Sequence, residues 1–186
     1  MDQRKLKIAY HEVGHAIMAL ICRQPIRSVS IKEMNSPLGT EKYLGSTILE
    51  PFEQKQTLTI NELTRRVMIS LGGFASEILL FDGVTGMGGD DLTAAVKWTD
   101  LMMQSEQFRN LAASMPVPEP SPLDTLIANP LVRAFIDYQI HVCVARLRPL
   151  RPAIQLIGRR LYESDELTGD QVVELFDSFV RSKQPG

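Results

Sequence analysis

Residues 9–16 read Ala9-Tyr10-His11-Glu12-Val13-Gly14-His15-Ala16, and this stretch is the strongest indication of fold and function in the chain. It lies in a segment with apolar residues at helical spacing, from about residue 3 to residue 22, and Pro25 follows the end of that segment. Residues four apart share one face of a helix, so His11 and His15 present their imidazoles one turn apart. Two such nitrogens can bind one zinc ion at about 2.0–2.1 Å each.

Glu12 lies next to this pair, rotated by about a third of a helical turn. In the HExxH pattern the two histidines bind zinc, and the glutamate accepts a proton from the water that zinc activates. The pattern also occurs by chance in unrelated proteins. Here it lies in a predicted helix with apolar flanks, and it contains two of the three histidines of the chain. We therefore predict a zinc site with His11 and His15 as ligands and Glu12 as the catalytic base.

A catalytic zinc usually has a third protein ligand. Metzincins would place a glycine and a histidine at positions 18 and 21, but these are Met18 and Ile21, which excludes that class. His141 lies in an apolar helical run, where a structural histidine is the more common case. Glu33 follows the motif at a distance typical of gluzincins, but it comes after a strand pattern and not on a second helix.

Asp91 is better placed than these two alternatives. It follows the glycine-rich residues 85–89 and opens a predicted helix, so its carboxylate can project inward. Aspartate is also common at helix starts as an ordinary cap. Asp90 is the more natural cap, which leaves Asp91 free to act as a ligand.

The rest of the chain predicts a mostly helical α+β fold with a small sheet next to the zinc helix. Alternating patterns predict strands at residues 27–32 and 43–49. A Thr59–Glu62 capping box opens a predicted helix that extends to about Phe81 and contains Gly72-Gly73, a pair that indicates close backbone approach. Further helices are predicted at residues 90–102, 131–147, 153–162 and 169–182.

We expect a single domain with three parts. Residues 1–115 form the predicted catalytic core, and residues 131–186 form a helical C-terminal part of the same domain. Residues 116–130 contain five prolines and are predicted to be an exposed, irregular connection.

Composition excludes several classes of function. The 186 residues carry a formal net charge of −2, which gives no basic surface for nucleic acid. Cys22 and Cys143 form no metal or disulfide pattern and are predicted to be small buried hydrophobes. No signal peptide is present, and the longest apolar run is too short to cross a bilayer. We expect a cytoplasmic protein without direct membrane insertion.

Four blocks of the sequence, in this order, resemble the peptidase domain of FtsH-type zinc metalloproteases. They are the HExxH stretch, the strand pair Ser28-Val29-Ser30-Ile31 and Leu44-Gly45-Ser46-Thr47, the segment Leu71-Gly72-Gly73-Phe74-Ala75-Ser76-Glu77, and the segment from Val84-Thr85 to Asp90-Asp91-Leu92. The resemblance implies a zinc peptidase with Asp91 as the third ligand. It also implies that residues Leu44, Gly45, Ser46 and Thr47 bind substrate as an edge strand, and that the chain can form homo-oligomers.

The departures from that family limit what the resemblance implies. The sequence contains no GxxxxGK[ST] phosphate loop, it begins a few residues before the motif, and Phe74 replaces the usual arginine. We therefore expect hydrolysis of flexible or unfolded polypeptides without an ATPase of its own. The alternative is an inactive or partner-dependent zinc module that docks on a separate ATPase.

Glu77 lies among apolar residues on the helix face that carries Gly73. A buried carboxylate requires a partner, and zinc-binding imidazoles usually donate their second N–H to a carboxylate or a carbonyl. We predict that Glu77 is such an acceptor. The alternative is a half-exposed helix glutamate.

Overall fold

The computed structural model describes residues 2–35, 42–51, 57–81, 89–116, 123 and 125–183. In these ranges the elements are α1 (Gln3–Ile21), β1 (Ile26–Asn35), β2 (Lys42–Leu49), α2 (Ile60–Ser70), α3 (Gly72–Phe81), α4 (Gly89–Met102), α5 (Glu106–Ala113), α6 (Pro130–Leu147), α7 (Arg151–Ser164), β3 (Glu166–Thr168) and α8 (Gly169–Ser182). A short 3-10 turn, Arg148–Leu150, joins α6 to α7. The predicted fold class, α+β and mainly helical, is confirmed.

Helix α1 lies at the centre of the fold. Asp2 caps its start, because its carboxylate accepts hydrogen bonds from the amides of Arg4 (2.9 Å) and Lys5 (3.3 Å). Every residue from Ile8 to Ala19 is buried, against α3, α7 and the sheet. A helix that is buried on all sides is typical of a core helix. The HExxH segment therefore lies inside the core.

The sheet is antiparallel with strand order β2-β1-β3. Strand β1 is central, and β2 occupies one edge of the described sheet, as the edge-strand hypothesis for residues 44–47 requires. The register places Val29 opposite Thr47 and Ser30 opposite Ser46. Strand β3 was not predicted, since three residues are too few to show an alternating pattern.

The predicted single helix over residues 59–81 is wrong in one respect. The chain forms two helices, α2 and α3, which are separated at Leu71. The Thr59–Glu62 capping box does open α2. Gly72, the first residue after the break, packs against α1, where an added Cβ would lie 2.6 Å from the carbonyl oxygen of Gly14. The predicted close backbone approach is thus confirmed, at the start of a new helix.

The C-terminal helices pack directly on the N-terminal part of the chain. Helix α6 contacts α3, and α7 contacts α1, so one hydrophobic cluster includes residues from both parts. The predicted boundaries at 115 and 130 stay a prediction.

Residues 117–122 and 124 of the proline-rich stretch lie outside the described residues. Its predicted exposure is wrong at Leu123 and Ile127, which are both buried, because apolar side chains of an irregular segment can still enter the core.

Cys22 and Cys143 are free and buried, as predicted. Burial raises the pKa of both thiols, that of Cys143 to about 12. Both side chains therefore behave as small hydrophobes at neutral pH. Among the helices of the described ranges, none combines the length and the apolar character that a membrane span requires.

Candidate metal centre

The two histidines of α1 point at a common position. Their Nε2 atoms lie 3.0 Å apart, and the two rings meet nearly edge to face. Both side chains are buried. The one-turn spacing of His11 and His15 on a core helix therefore brings the two nitrogens together, as the sequence predicts.

Asp91, in the first turn of α4, completes a group of three donors. Its Oδ2 atom lies 3.0 Å from His11 Nε2 and 3.1 Å from His15 Nε2. Ligand atoms about 2.0–2.1 Å from one tetrahedral zinc ion lie about 3.3–3.4 Å from each other, which is close to these separations. Among the described residues, this trio is the only group of three or more His, Cys, Asp or Glu side chains placed to bind one metal ion. Residues 82–88, which include most of the glycine-rich loop, lie outside the described residues.

The second nitrogen of each imidazole already has a partner. His11 Nδ1 lies 2.6 Å from Oε1 of Glu77, and His15 Nδ1 lies 2.7 Å from the carbonyl oxygen of Ile69. Glu77 is 0% exposed, so the prediction of a buried carboxylate is confirmed and the half-exposed alternative is wrong. Each of these acceptors favours the tautomer with the proton on Nδ1. That tautomer leaves both Nε2 lone pairs available to a metal.

Gly73 leaves the space between the two imidazoles open. A Cβ added at this position would lie 2.5 Å from His15 Nε2 and closer still to His11 Nε2. The second residue of α3 therefore has no side chain at the point where the two donor nitrogens converge. A small cation with short bonds to nitrogen and oxygen fits this space and this donor set.

Glu12 lies beside the trio and contacts strand β2. Its Oε2 atom is 2.8 Å from the hydroxyl of Thr47, which donates the hydrogen bond. Its side chain is buried, and burial is the largest cause of a raised pKa for this carboxyl. A raised pKa makes a carboxylate a stronger base, which suits the role of a proton acceptor beside the candidate metal site.

The charges of the trio depend on each other. Burial lowers the pKa of His11, but hydrogen bonds to Asp91 and Glu77 and the charge of Glu12 outweigh burial and raise it to about 10. Burial opposes ionisation of Asp91, yet the two histidines hold its pKa well below the usual range. Without a metal, the site therefore keeps a carboxylate against a protonated imidazole at neutral pH.

Zinc binding at pH 7 is expected to release protons. A zinc ligand must be a neutral imidazole, whereas His11, with a pKa of about 10, carries a proton before zinc binds. Zinc affinity should therefore rise with pH from neutrality towards about pH 10, and fall as the pH is lowered. Calorimetric titrations in buffers with different ionisation enthalpies measure this release. A binding enthalpy that does not change with the buffer would contradict it.

The two other candidate ligands lie elsewhere. His141 is exposed on α6, and its Nδ1 lies 2.8 Å from the carbonyl oxygen of Asp137 in the same helix. Glu33 is exposed on β1. Neither belongs to the metal-binding group.

Three contributors to the site have little or no signal in the sequence. The carbonyl of Ile69 has no signature in the sequence, because every residue carries one. The contact between Thr47 and Glu12 depends on how the sheet packs on α1. The space that Gly73 leaves between the imidazoles was predicted only in part, since a glycine pair inside a predicted helix indicated close packing but not its partner.

Residues 1–109 match the sequence profile of Peptidase family M41. The ATP-dependent zinc metalloprotease FtsH 2 of Sorangium cellulosum is 30% identical over an alignment 200 positions long, which covers 95% of this chain and 32% of the relative. FtsH 1 of Methylacidiphilum infernorum is 35% identical over 96 residues, which span 50% of this chain and 14% of the relative. FtsH 2 of Sphaerobacter thermophilus is 25% identical over 182 residues, which span 94% of this chain and 27% of the relative.

The chain thus spans about a third or less of the length of these relatives. The part that matches the family profile contains both histidines, the glutamate between them and the aspartate of α4. Zinc is the cofactor expected of such a site. The chain belongs to peptidase family M41 and is a zinc metalloprotease-like domain.

Proposed function

We propose that this domain is a zinc endopeptidase that hydrolyses flexible or unfolded polypeptides. In this proposal His11, His15 and Asp91 bind the metal, and Glu12 is the general base. The observation that carries the proposal is the convergence of the three donor atoms, all within 3.1 Å of each other, beside the buried Glu12 carboxylate. A structural zinc site would not require a buried base next to its ligands.

Zinc, when bound, supplies a Lewis acid that polarises the peptide carbonyl and lowers the pKa of water. The protein supplies the proton transfers. Glu12 accepts a proton from the attacking water and then donates it to the nitrogen of the leaving amine. The buried surroundings of the site strengthen these electrostatic interactions, because little water competes with them.

We propose that the substrate binds as an additional strand on β2. This strand has only one neighbour in the described sheet, so its outer edge can pair with an extended peptide through main-chain hydrogen bonds. The proposed contact segment is Leu44, Gly45, Ser46 and Thr47, and Thr47 brings this strand to Glu12. Main-chain pairing selects extended polypeptides and depends little on their sequence.

Glu77 is proposed to orient His11 through the 2.6 Å contact with Nδ1. Replacing it with glutamine keeps the shape but removes the charge, so the zinc affinity is expected to fall by about 10- to 100-fold. Competition with a chromophoric chelator measures this loss. Glu174→Gln, an exposed glutamate on α8, is the matched control. Equal affinity of the Glu77→Gln variant and the wild type would remove Glu77 from the site.

Hydrolysis of unfolded casein tests the proposed function directly. We expect cleavage by the zinc-loaded chain, loss of cleavage after zinc is removed by a chelator, and recovery when zinc is returned. Cleavage that does not depend on zinc would contradict the proposal. The named relatives are ATP-dependent. If casein were degraded only after a cognate ATPase and ATP were added, the partner-dependent alternative would replace the stand-alone enzyme.

A further inference from the structure

Strand β2 holds the side chain of Glu12 through one hydroxyl group. Thr47 Oγ1 lies 2.8 Å from Oε2 of Glu12 and 2.9 Å from the main-chain oxygen of the same residue. Both neighbours are acceptors when the glutamate is ionised, so the threonine hydroxyl is the donor and the two oxygens share its single hydrogen. A hydrogen bond from a hydroxyl to a carboxylate is among the stronger ones in proteins. The bond therefore fixes one carboxylate oxygen relative to the helix that carries it.

Gly45 lies against Oε1, the other carboxylate oxygen of Glu12. It lies two residues before Thr47, on the same face of the strand. Its φ of +140° is a conformation that glycine adopts readily, and an added Cβ would lie 2.8 Å from Glu12 Oε1 and 2.8 Å from Ile8 Cγ2. The backbone of Gly45 thus packs directly against the carboxylate. One face of β2 therefore supplies both the hydroxyl donor of Thr47 and the Gly45 backbone that packs against the Glu12 carboxylate.

We infer that Thr47 is a positioning residue for the proposed base Glu12, and that its side chain does not bind substrate. This inference rests on the proposed peptidase function. Side chains of a strand stand roughly perpendicular to the sheet, whereas main-chain donors and acceptors lie in its plane. The hydroxyl of Thr47 is directed at α1. A peptide paired with the outer edge of β2 would therefore contact the main chain of Thr47 and not its hydroxyl.

Kinetic measurements on the zinc-loaded chain separate the two roles. Thr47→Val keeps the shape and removes the donor, and we expect kcat to fall at least about 10-fold while KM and zinc affinity stay unchanged. Thr47→Ser restores the hydroxyl and should recover most of kcat. Thr64→Val, which loses a hydroxyl bonded within α2, is the matched control. A rise in KM at constant kcat would identify a substrate contact and overturn the inference, as would wild-type kinetics for Thr47→Val.

A double-mutant cycle tests the contact without catalysis. The thermal unfolding midpoints of Thr47→Val, Glu12→Met and the double variant are compared with that of the wild type. If the two side chains interact, the change in unfolding free energy of the double variant will differ from the sum of the changes in the two single variants. Additive shifts would overturn the inference. A wild-type chain that binds zinc but cleaves no casein would instead contradict the proposed stand-alone peptidase, while the cycle still reports on the contact itself.

Discussion

Replacing Gly73 with alanine is expected to abolish zinc binding while the helices stay folded. The added methyl group would lie between the Nε2 atoms of His11 and His15, where the proposed metal is held. The nearest atoms it would meet belong to the two imidazole side chains and not to the backbone, so the clash falls on the proposed ligands themselves. Because loss of a single outer-sphere partner already weakens metal binding by about 10- to 100-fold, displacement of both ligands should cost at least about 100-fold.

Gly89→Ala is the control for this substitution. Gly89 begins α4, and no atom of the described residues lies within 4 Å of an added Cβ, so alanine is expected to fit there and keep zinc affinity. Competition with a chromophoric chelator gives both affinities, and circular dichroism reports on the helices. Wild-type affinity in the Gly73→Ala variant would show that zinc does not lie between the two imidazoles.

Replacing Glu12 with glutamine is expected to remove casein cleavage and to keep zinc. Glutamine has a similar size but cannot accept a proton, and loss of a general base lowers rates by about 10²–10⁴-fold. The carboxylate is not one of the three proposed ligands, so one zinc per chain should stay bound. The measurement pairs metal analysis with the rate of casein hydrolysis.

The Glu12→Gln variant is also expected to show an effect on thermal stability that does not depend on the activity assay. Burial raises the pKa of Glu12, so the folded state favours the neutral acid, and the ionised carboxylate lowers stability as the pH rises above the pKa of the unfolded chain. A neutral glutamine removes this effect, so the unfolding midpoint at pH 7 should not fall. Glu163→Gln, an exposed glutamate on α7, should leave both rate and midpoint unchanged. Full activity in the Glu12→Gln variant would exclude Glu12 as the base.

The trio of proposed ligands was predictable because each member carries a local signal. Two histidines at helical spacing need no tertiary information, and Asp91 was selected by its place after a glycine-rich loop at a helix start. Glu77 was predicted from burial, since an acid among apolar residues requires a partner. The proposed metal site therefore rests on chemistry that residue type and spacing reveal.

The parts that were missed depend on tertiary packing. The break at Leu71 was not predicted, because residues 59–81 contain no proline and the Gly72-Gly73 pair was interpreted as a site of close packing inside one helix. The Thr47–Glu12 bond requires the sheet to lie against α1, which no local pattern encodes. Strand β3 exists only because residues 166–168 pair with β1.

Metal analysis combined with X-ray absorption at the zinc edge tests the central claim most directly. For the purified chain we predict one zinc ion, with two imidazole nitrogens at about 2.0–2.1 Å, oxygen in the remaining positions and no sulfur. Absence of zinc under metal-replete conditions would contradict the account. A sulfur ligand would contradict it as well, because Cys22 and Cys143 lie outside the proposed site.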